Sequence, residues 1–329
     1  MTGLDVADAG EHGPRDAVLG PRCLVVGEVG GGGGDGVAGV VHVHDPVVVA
    51  VGAIYAGMLG GGVDGGAVVR VSDTVRRRPG RNAGFVRRLL ESLERAGWDG
   101  APRFRGVDEQ GREILSFLPG HVPWQPAEQA RARSDDSLAV AAELVRQLHD
   151  LTAGTCLAGG CEVVCHNDLS PKNTVYRDRA GELRPVAFID WDLAAPGQRI
   201  HDVAHVCWQY AGLGPQIEDA AQACRQVRVI CDGYGLADRA VVVDTILWWQ
   251  DRCWGGIQAR AAAGDPAMTR LHDSGATQQV CQEHDWVARL GTELQAALPV
   301  EPLGDIVRML LAQLARDPPR GSQILDVSR

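Results

Sequence analysis

Three absences narrow the class of protein that this sequence can encode. The 329 residues carry a formal net charge of -10, so the chain lacks the basic excess with which general nucleic-acid binders neutralise phosphates. The start of the chain lacks the charged and apolar segments of a secretory leader. The nine cysteines are odd in number and lack the regular spacing of a disulfide framework. We therefore expect a cytoplasmic protein that binds no nucleic acid.

The sequence also has little that would hold it in a membrane. The apolar stretch PVVVAVGAIYAGML, residues 46–59, has 14 residues, whereas a membrane-spanning helix needs about 20. No Lys or Arg flanks this stretch, although basic residues usually fix the orientation of a spanning helix. We expect no membrane association, and no feature of the sequence calls for an obligate protein partner.

The first 57 residues differ in texture from the rest of the chain. They include the run GGGGGDG and show no helical or strand period that persists. A regular pattern begins directly after Met58, so a start codon assigned too far upstream would explain the segment. We predict that residues 1–57 form a low-complexity extension that is disordered or is not part of the folded domain.

Residues 58–120 have the pattern of a small mixed domain. The turn Ser72-Asp73 separates two short strands, and the turn Gln110-Gly111 separates two more. Between the two hairpins, apolar residues recur at helical spacing: Phe85, Leu89, Leu90 and Leu93. Two strands, one helix and two strands predict a small lobe with an antiparallel sheet.

The chain beyond residue 120 is mainly helical. Stretches such as SLAVAAELVRQLHDL and RIHDVAHVCWQYAGL carry the apolar spacing of helices. We predict an α+β fold with an N-lobe over residues 58–120 and a larger, mainly helical C-lobe over residues 121–298. Residues 299–329 would form a C-terminal tail.

The C-lobe contains one conspicuously polar cluster, CHNDLSPKN, at residues 165–173. It holds Asp168 and Asn173, and FIDWD then places Asp190 at the end of the apolar strand PVAFID. An aspartate can take a proton from an attacking hydroxyl, and an amide oxygen and a carboxylate are suitable ligands for magnesium. These three side chains are the smallest set of catalytic and metal-binding groups that phosphoryl transfer from ATP requires.

HNDLSPKN followed by FIDWD resembles the catalytic and metal-binding loops of the aminoglycoside phosphotransferase family, which are small-molecule kinases with the protein-kinase fold. The stretches VVRVSDTVRRRPG, GAPRFRGVDEQGREILSFLPG and ILWWQDRCW are also similar to members of that family, so the resemblance covers roughly residues 59–298. It implies a bilobal protein-kinase-like fold, ATP and Mg2+ as cofactors, and a hydroxyl group of a small molecule as the phosphate acceptor.

Carried over residue by residue, the resemblance implies that Asp168 is the catalytic base. His166 would belong to the same catalytic set, and its role would be to order the loop. Asn173 and Asp190 would bind magnesium. Asp202, in the segment IHDVAH, would support the catalytic loop through its backbone and is therefore expected to be structural.

The resemblance also implies a nucleotide site in the N-lobe. Ser116, Phe117 and Leu118 would form the hinge, whose backbone hydrogen-bonds an adenine. The family usually supplies a strand lysine, paired with a helix glutamate, to hold the phosphates. Here the strand reads TVRRRP and offers Arg76 or Arg77, either of which could bind phosphate, while the helix reads FVRRLL and offers no acid.

We therefore expect a phosphotransferase with an alcohol group as acceptor. The sequence does not choose among an aminoglycoside, a choline-like alcohol, a homoserine-like amino acid, a sugar and a macrolide as the acceptor. The alternative outside the enzymes is a nucleotide-binding pseudokinase without turnover. Only the absence of the usual lysine and glutamate pair that holds the phosphates favours it.

Overall fold

The N-terminal sheet is built from two hairpins. The computed structural model describes residues 68–179 and 181–298. Its first four strands pair antiparallel in the order β1-β2-β4-β3. They are β1 (Val69–Val71), β2 (Thr74–Arg77), β3 (Phe104–Val107) and β4 (Glu113–Ser116). Each hairpin turn contains a residue of positive φ, Ser72 at 57° and Gly111 at 75°, as the sequence pattern of turns predicts.

One helix crosses between the two hairpins. Helix α1 (Ala83–Arg95) ends just before Gly97, whose φ of 72° is easily adopted by a residue without a side chain. Its apolar stripe is buried and joins the hydrophobic core that also contains helices of the C-terminal part. The sheet and the helical part therefore share one core.

Helices dominate the rest of the described chain. They are α2 (Pro126–Arg131), α3 (Asp135–Thr152), α4 (Arg199–Ala211), α5 (Ala220–Tyr234), α6 (Val242–Ala262), α7 (Pro266–Asp273) and α8 (Ala276–Ala296). The helix pairs α3 with α5 and α6 with α8 make the most extensive contacts. Within residues 68–179 and 181–298, no helix combines the length and the apolar character needed to cross a bilayer.

Four further strands bring the two polar loops together. Strand β5 (Val163–Cys165) pairs with β8 (Ala195–Gly197), and β6 (Thr174–Arg179) pairs with β7 (Glu182–Phe188). The loop of Asp168, residues 166–173, follows β5 and is called the catalytic loop after its predicted role, and the loop of Asp190 follows β7. A backbone hydrogen bond from Ile189 N–H to the Asn173 carbonyl, 2.9 Å long, links the two loops directly.

The predicted α+β fold class is confirmed, with a small antiparallel sheet followed by a larger, mainly helical part. The lobe boundary at residue 120 stays a prediction. The predicted extension over residues 1–57, the start of the N-lobe before Val68, and the tail over residues 299–329 lie outside the described residues.

Candidate active site

The catalytic loop is held at its base by a buried aspartate of α4. Asp202 is fully buried, and its carboxylate accepts hydrogen bonds from the backbone N–H groups of His166, at 2.7 Å, and Asn167, at 2.9 Å. The Nε2 atom of His149 on α3 lies 3.1 Å from the same carboxylate. The pKa of Asp202 is lowered because these hydrogen bonds outweigh the effect of burial. The side chain of Asp202 thus holds the backbone of the catalytic loop in place.

Asp168 and Asn173 are brought into contact by a short 3-10 turn over residues 171–173. The Nδ2 group of Asn173 donates to the Asp168 carboxylate at 2.9 Å and to the Asp168 carbonyl at 2.8 Å. Burial raises the pKa of Asp168 to about 7, and the charge of Asp190 adds to this effect. The amide of Asn173 therefore orients Asp168 through its nitrogen and keeps its oxygen available as a ligand atom.

His166 connects the catalytic loop to the loop of Asp190. Its side chain is fully buried, its Nε2 atom lies 3.1 Å from the Ile189 carbonyl, and its ring packs against Trp191 at a centroid distance of 4.6 Å. Burial lowers the pKa of His166 to about 4, so the imidazole is neutral near pH 7. A neutral buried ring in this place orders both loops.

Asp190 lies where β7 ends and adopts a left-handed backbone conformation, with a φ of 62°. Such a φ is uncommon for a residue other than glycine and occurs at functional sites. Burial raises the pKa of Asp190 to about 6, with a further contribution from the neighbouring charge of Asp192. The two carboxylates create a local excess of negative charge. Together with the amide oxygen of Asn173, they form a set of hard oxygen donors that suits magnesium.

The structure distinguishes the two candidate arginines of β2. The Nε atom of Arg76 is 3.9 Å from the Asp108 carboxylate, and its Nη1 donates to the Thr74 hydroxyl at 2.6 Å. Arg77 instead reaches the loop of Asp190 and Asp192, which we call the metal loop after the predicted role of Asp190. Its Nη1 lies 3.6 Å from the Asp190 carboxylate, and its Nη2 donates to Asp192. Arg77 is therefore the arginine that lies with the candidate site residues.

The predicted hinge residues begin at Ser116, the last residue of β4, and continue directly after that strand. Ser116 donates its N–H to the Arg103 carbonyl at 2.9 Å, and Phe117 donates its N–H to the Asp73 carbonyl at 2.8 Å. The ring of Phe117 also lies under the Arg70 guanidinium, 3.6 Å from its centroid. Leu118 lies in no helix or strand, and its N–H donates to no backbone carbonyl of the described residues. It is the hinge donor that remains for a ligand.

Sequence reasoning missed two residues at this site. Lys172 is the single lysine of the chain, and it lies next to Asn173. The residue as a whole is half-buried, and its pKa is lowered by burial while the charges of Asp168 and Asp190 oppose that shift. Its rarity was the signal that could have identified it. Glu113 of β4 was missed because a lone glutamate in a strand gives no pattern.

Comparison with known proteins matches residues 155–240 to the family described as the phosphotransferase enzyme family. The matched segment contains Asp168, Asn173, Asp190 and Asp202. A curated relative, the trifolitoxin immunity protein of Rhizobium leguminosarum bv. trifolii, is 29% identical over 260 residues, which are 70% of this chain and 94% of the relative.

One similar solved structure is that of a choline/ethanolamine kinase family protein from Mesorhizobium loti, which is 16% identical to this chain. The similarity covers 68% of this chain and 89% of that protein, with a TM-score of 0.43. Another is the aminoglycoside phosphotransferase APH(3'')-Id from Streptomyces rimosus, with 18% identity, coverages of 56% and 87%, and a TM-score of 0.42. The family match supports the predicted enzyme class, a phosphotransferase with an alcohol group as acceptor. It also confirms the predicted resemblance, because residues 155–240, which carry both polar loops, match the model of the phosphotransferase enzyme family.

Proposed function

We propose that this protein transfers the γ-phosphate of ATP to a hydroxyl group of a small molecule, with magnesium as the cofactor. The observation that carries the proposal is the convergence of Asp168, Asn173 and Asp190 from two loops. Asn173 contacts Asp168 directly, and Asp190 lies close enough for its charge to raise the pKa of Asp168. Asp202 and His166 hold the loops that present these side chains.

In the proposed reaction, Asp168 acts as the base for the acceptor. The acceptor hydroxyl donates its proton to the Asp168 carboxylate while its oxygen forms a bond to the γ-phosphorus. The bond between the γ-phosphorus and the bridging oxygen breaks, and ADP leaves with that oxygen. The protein forms no covalent intermediate, so its contribution is to position the reactants and to stabilise charge.

Asp190 and the amide oxygen of Asn173 are the proposed magnesium ligands, with Asp192 as a neighbouring carboxylate. Bound magnesium would neutralise negative charge on the β- and γ-phosphates. The proposal is supported by the hard oxygen donors of this set and by the mutual repulsion of Asp190 and Asp192, which a divalent cation would relieve.

The chain offers three further groups for the nucleotide. The terminal nitrogens of Arg77 face the metal loop and could bind a phosphate through two parallel hydrogen bonds. The Lys172 ammonium lies near Asp168 and could contact the transferred phosphoryl group. At the hinge, we propose that the Leu118 N–H binds the adenine, because Ser116 and Phe117 already use their N–H groups within the sheet.

The acceptor would approach from the helical part. Cys253 of α6 lies near the catalytic loop, since burial and the charge of Asp168 raise its pKa to about 12. Glu283 of α8 lies near Cys253, and its carboxylate accepts a hydrogen bond from Trp208 Nε1 at 2.8 Å. Helix α6 therefore contributes a residue beside Asp168, and we propose that this helix lines the acceptor site.

The curated relative favours a second candidate function, immunity to a toxin. That relative is named for immunity to trifolitoxin, and the similarity extends over 70% of this chain. Two mechanisms would give immunity: phosphorylation of a hydroxyl of the toxin, or tight binding of the toxin without turnover. The second mechanism matches the pseudokinase alternative, and the acceptor alternatives named above stay open beside both.

The test is magnesium-dependent release of ADP from ATP, measured with each acceptor class and with trifolitoxin. We expect acceptor-stimulated release by the wild-type protein and a loss of about a hundredfold or more in Asp168→Ala and in Asp190→Ala. Asp178→Asn, whose side chain is 60% exposed in β6, is the control and should keep wild-type rates. ATP binding with no stimulated release by any acceptor would favour the pseudokinase, and equal rates in all variants would reject the site.

A further inference from the structure

Arg77 has an acidic partner in an unexpected element. The family resemblance implies that a helix acid pairs with the phosphate-binding cation of the strand, but α1 offers Arg87 instead. The acid comes from the neighbouring strand: Glu113 of β4 lies directly opposite Arg77 of β2 in the antiparallel register. Residues opposite each other in such a ladder have side chains on the same face of the sheet and within reach of each other.

Glu113 is shared by two arginines. Its Oε2 atom lies 3.1 Å from Arg77 Nε, and its Oε1 atom lies 2.9 Å from Arg87 Nε. The Glu113 side chain is only 2% exposed, so water cannot replace either partner. A buried carboxylate needs both of its oxygens paired, and this arrangement provides one guanidinium for each oxygen.

The pairing determines which atoms of Arg77 face the site. Glu113 occupies Nε, at the rear of the guanidinium, while Nη1 lies near Asp190 and Nη2 donates to Asp192. Because the guanidinium is planar, a hydrogen bond at Nε fixes the direction of both terminal nitrogens. The side chain of Arg77 has several rotatable bonds, and the contact with Glu113 restricts the orientations that it can adopt.

We propose that Glu113, held in turn by Arg87, is a positioning residue that orients Arg77 toward the phosphates of a bound nucleotide. Glu113 would replace the helix acid that the family resemblance implies, while the helix itself supplies the cation Arg87. This inference rests on the proposed function, because it assumes that the nucleotide phosphates bind beside the metal loop. Glu113 would touch neither the nucleotide nor the acceptor.

A double-mutant cycle between Glu113 and Arg77 separates positioning from simple structural support. The measured quantity is the dissociation constant of Mg·ADP, with wild type, Glu113→Gln, Arg77→Gln and the double variant. We expect each single variant to weaken Mg·ADP binding about tenfold, and the double variant to bind no more weakly than Arg77→Gln alone. Far-ultraviolet circular dichroism and melting temperature would verify that each variant is folded.

A milder variant keeps the test decisive if Glu113→Gln does not fold. Arg87→Gln changes a side chain that is 31% exposed and leaves the contact between Arg77 and Glu113 in place. We expect it to weaken Mg·ADP binding by about twofold to fivefold, and this effect should disappear in the Arg77→Gln background. The control is Glu94→Gln, because Glu94 also joins α1 to the sheet through an exposed ion pair with Arg105 at 3.1 Å. It should leave Mg·ADP binding unchanged.

The outcomes distinguish this inference from the proposed function. Suppose that wild type binds Mg·ADP, but that the dissociation constant of each double variant changes by the product of the changes in its two single variants. Glu113 then does not act through Arg77, and the inference fails while the proposed function stands. If wild type binds no Mg·ADP, both the inference and the proposed nucleotide site are overturned. Non-additive effects, with Glu94→Gln unchanged, would support the inference.

Discussion

Asp168 must be ionised to act as a base, yet its surroundings favour the protonated form. Burial and the charge of Asp190 raise its pKa to about 7, from an ordinary value of 3.8. A carboxyl whose pKa is raised by folding stabilises the folded state only while it is protonated. That stabilisation is complete below about pH 4 and is lost as the pH rises through about 7.

Replacing Asp168 with Asn should therefore stabilise the protein at high pH. Asn cannot ionise, so in the presence of a chelator the free energy of unfolding of Asp168→Asn should exceed that of wild type by an amount that grows with pH. Between pH 5 and pH 8 we expect this difference to increase by about 2 kcal/mol. Urea unfolding at each pH would measure it, and parallel pH profiles for the two proteins would contradict the account.

The two arginines of β2 give a second prediction at the scale of the residue. Arg77→Gln should weaken Mg·ADP binding about tenfold, because a bidentate contact with phosphate is lost. Arg76→Gln removes a side chain that contacts Asp108 and Thr74 instead, so it should change the affinity by less than about twofold. Calorimetry on both variants would test this, and a reversed order of effects would show that the wrong arginine was chosen.

The sequence was sufficient to predict that Asp168, Asn173 and Asp190 lie close together, because their chemistry and spacing are unusual in an otherwise apolar chain. It could not separate Arg76 from Arg77, since alternation along a strand assigns them to opposite faces without saying which face is inward. Glu113 lies 36 residues from Arg77, and only the pairing of β2 with β4 brings the two together.

At the scale of the element, helices α3 and α5 approach each other closely. Gly233 of α5 packs against the backbone of Ala139 in α3, where an added methyl group would lie 2.7 Å from the Ala139 carbonyl oxygen. The next residue, Tyr234, places its hydroxyl 2.8 Å from His149 Nδ1, and His149 contacts Asp202. The separation of α3 and α5 therefore affects the support of the catalytic loop.

Gly233→Ala should force α3 and α5 apart and destabilise the protein by about 1–3 kcal/mol. The matched control is Gly256→Ala in α6, where an added methyl group meets no atom within 4 Å. That variant should gain roughly 0.5–1 kcal/mol from helix propensity. Thermal or urea unfolding of the pair would test the prediction, and two variants of equal stability would rule out close packing at Gly233.

Long helices and local hairpins could be predicted from the sequence, whereas short or non-local elements could not. The apolar period of α3 extends over five turns, and the turn residues of the β3–β4 hairpin are adjacent in the chain. Helices α2 and α7 are short, and neither buries a side chain, so they carry no apolar period. Strands β5 and β8 have three residues each, and their pairing spans about thirty residues of chain.

At the scale of the whole molecule, the site links the N-terminal sheet to the helical part. Arg77 of the sheet contacts Asp190 and Asp192 of the metal loop, and the two parts share one hydrophobic core. A nucleotide with magnesium would add contacts to both parts at once. A ligand that binds only the folded state stabilises it in proportion to the logarithm of its concentration.

Mg·ADP should therefore raise the melting temperature of the entire protein in one transition. At about one hundred times its dissociation constant, the expected stabilisation is about 2.7 kcal/mol. The shift should be lost in Asp190→Asn and retained in the exposed control Asp178→Asn. Differential scanning calorimetry with and without the ligand would measure it, and an equal shift in Asp190→Asn would remove Asp190 from the proposed metal site.

The most direct measurement of the central claim follows the γ-phosphate itself. ATP labelled at the γ-phosphate is incubated with the protein, magnesium and the acceptor that stimulates ADP release, and the products are separated. We expect the label in a phosphate ester of the acceptor, with transfer absent in Asp168→Asn and unchanged in Asp178→Asn. Label that stays in ATP, or that appears in the acceptor at the same rate with Asp168→Asn, would contradict phosphoryl transfer at this site.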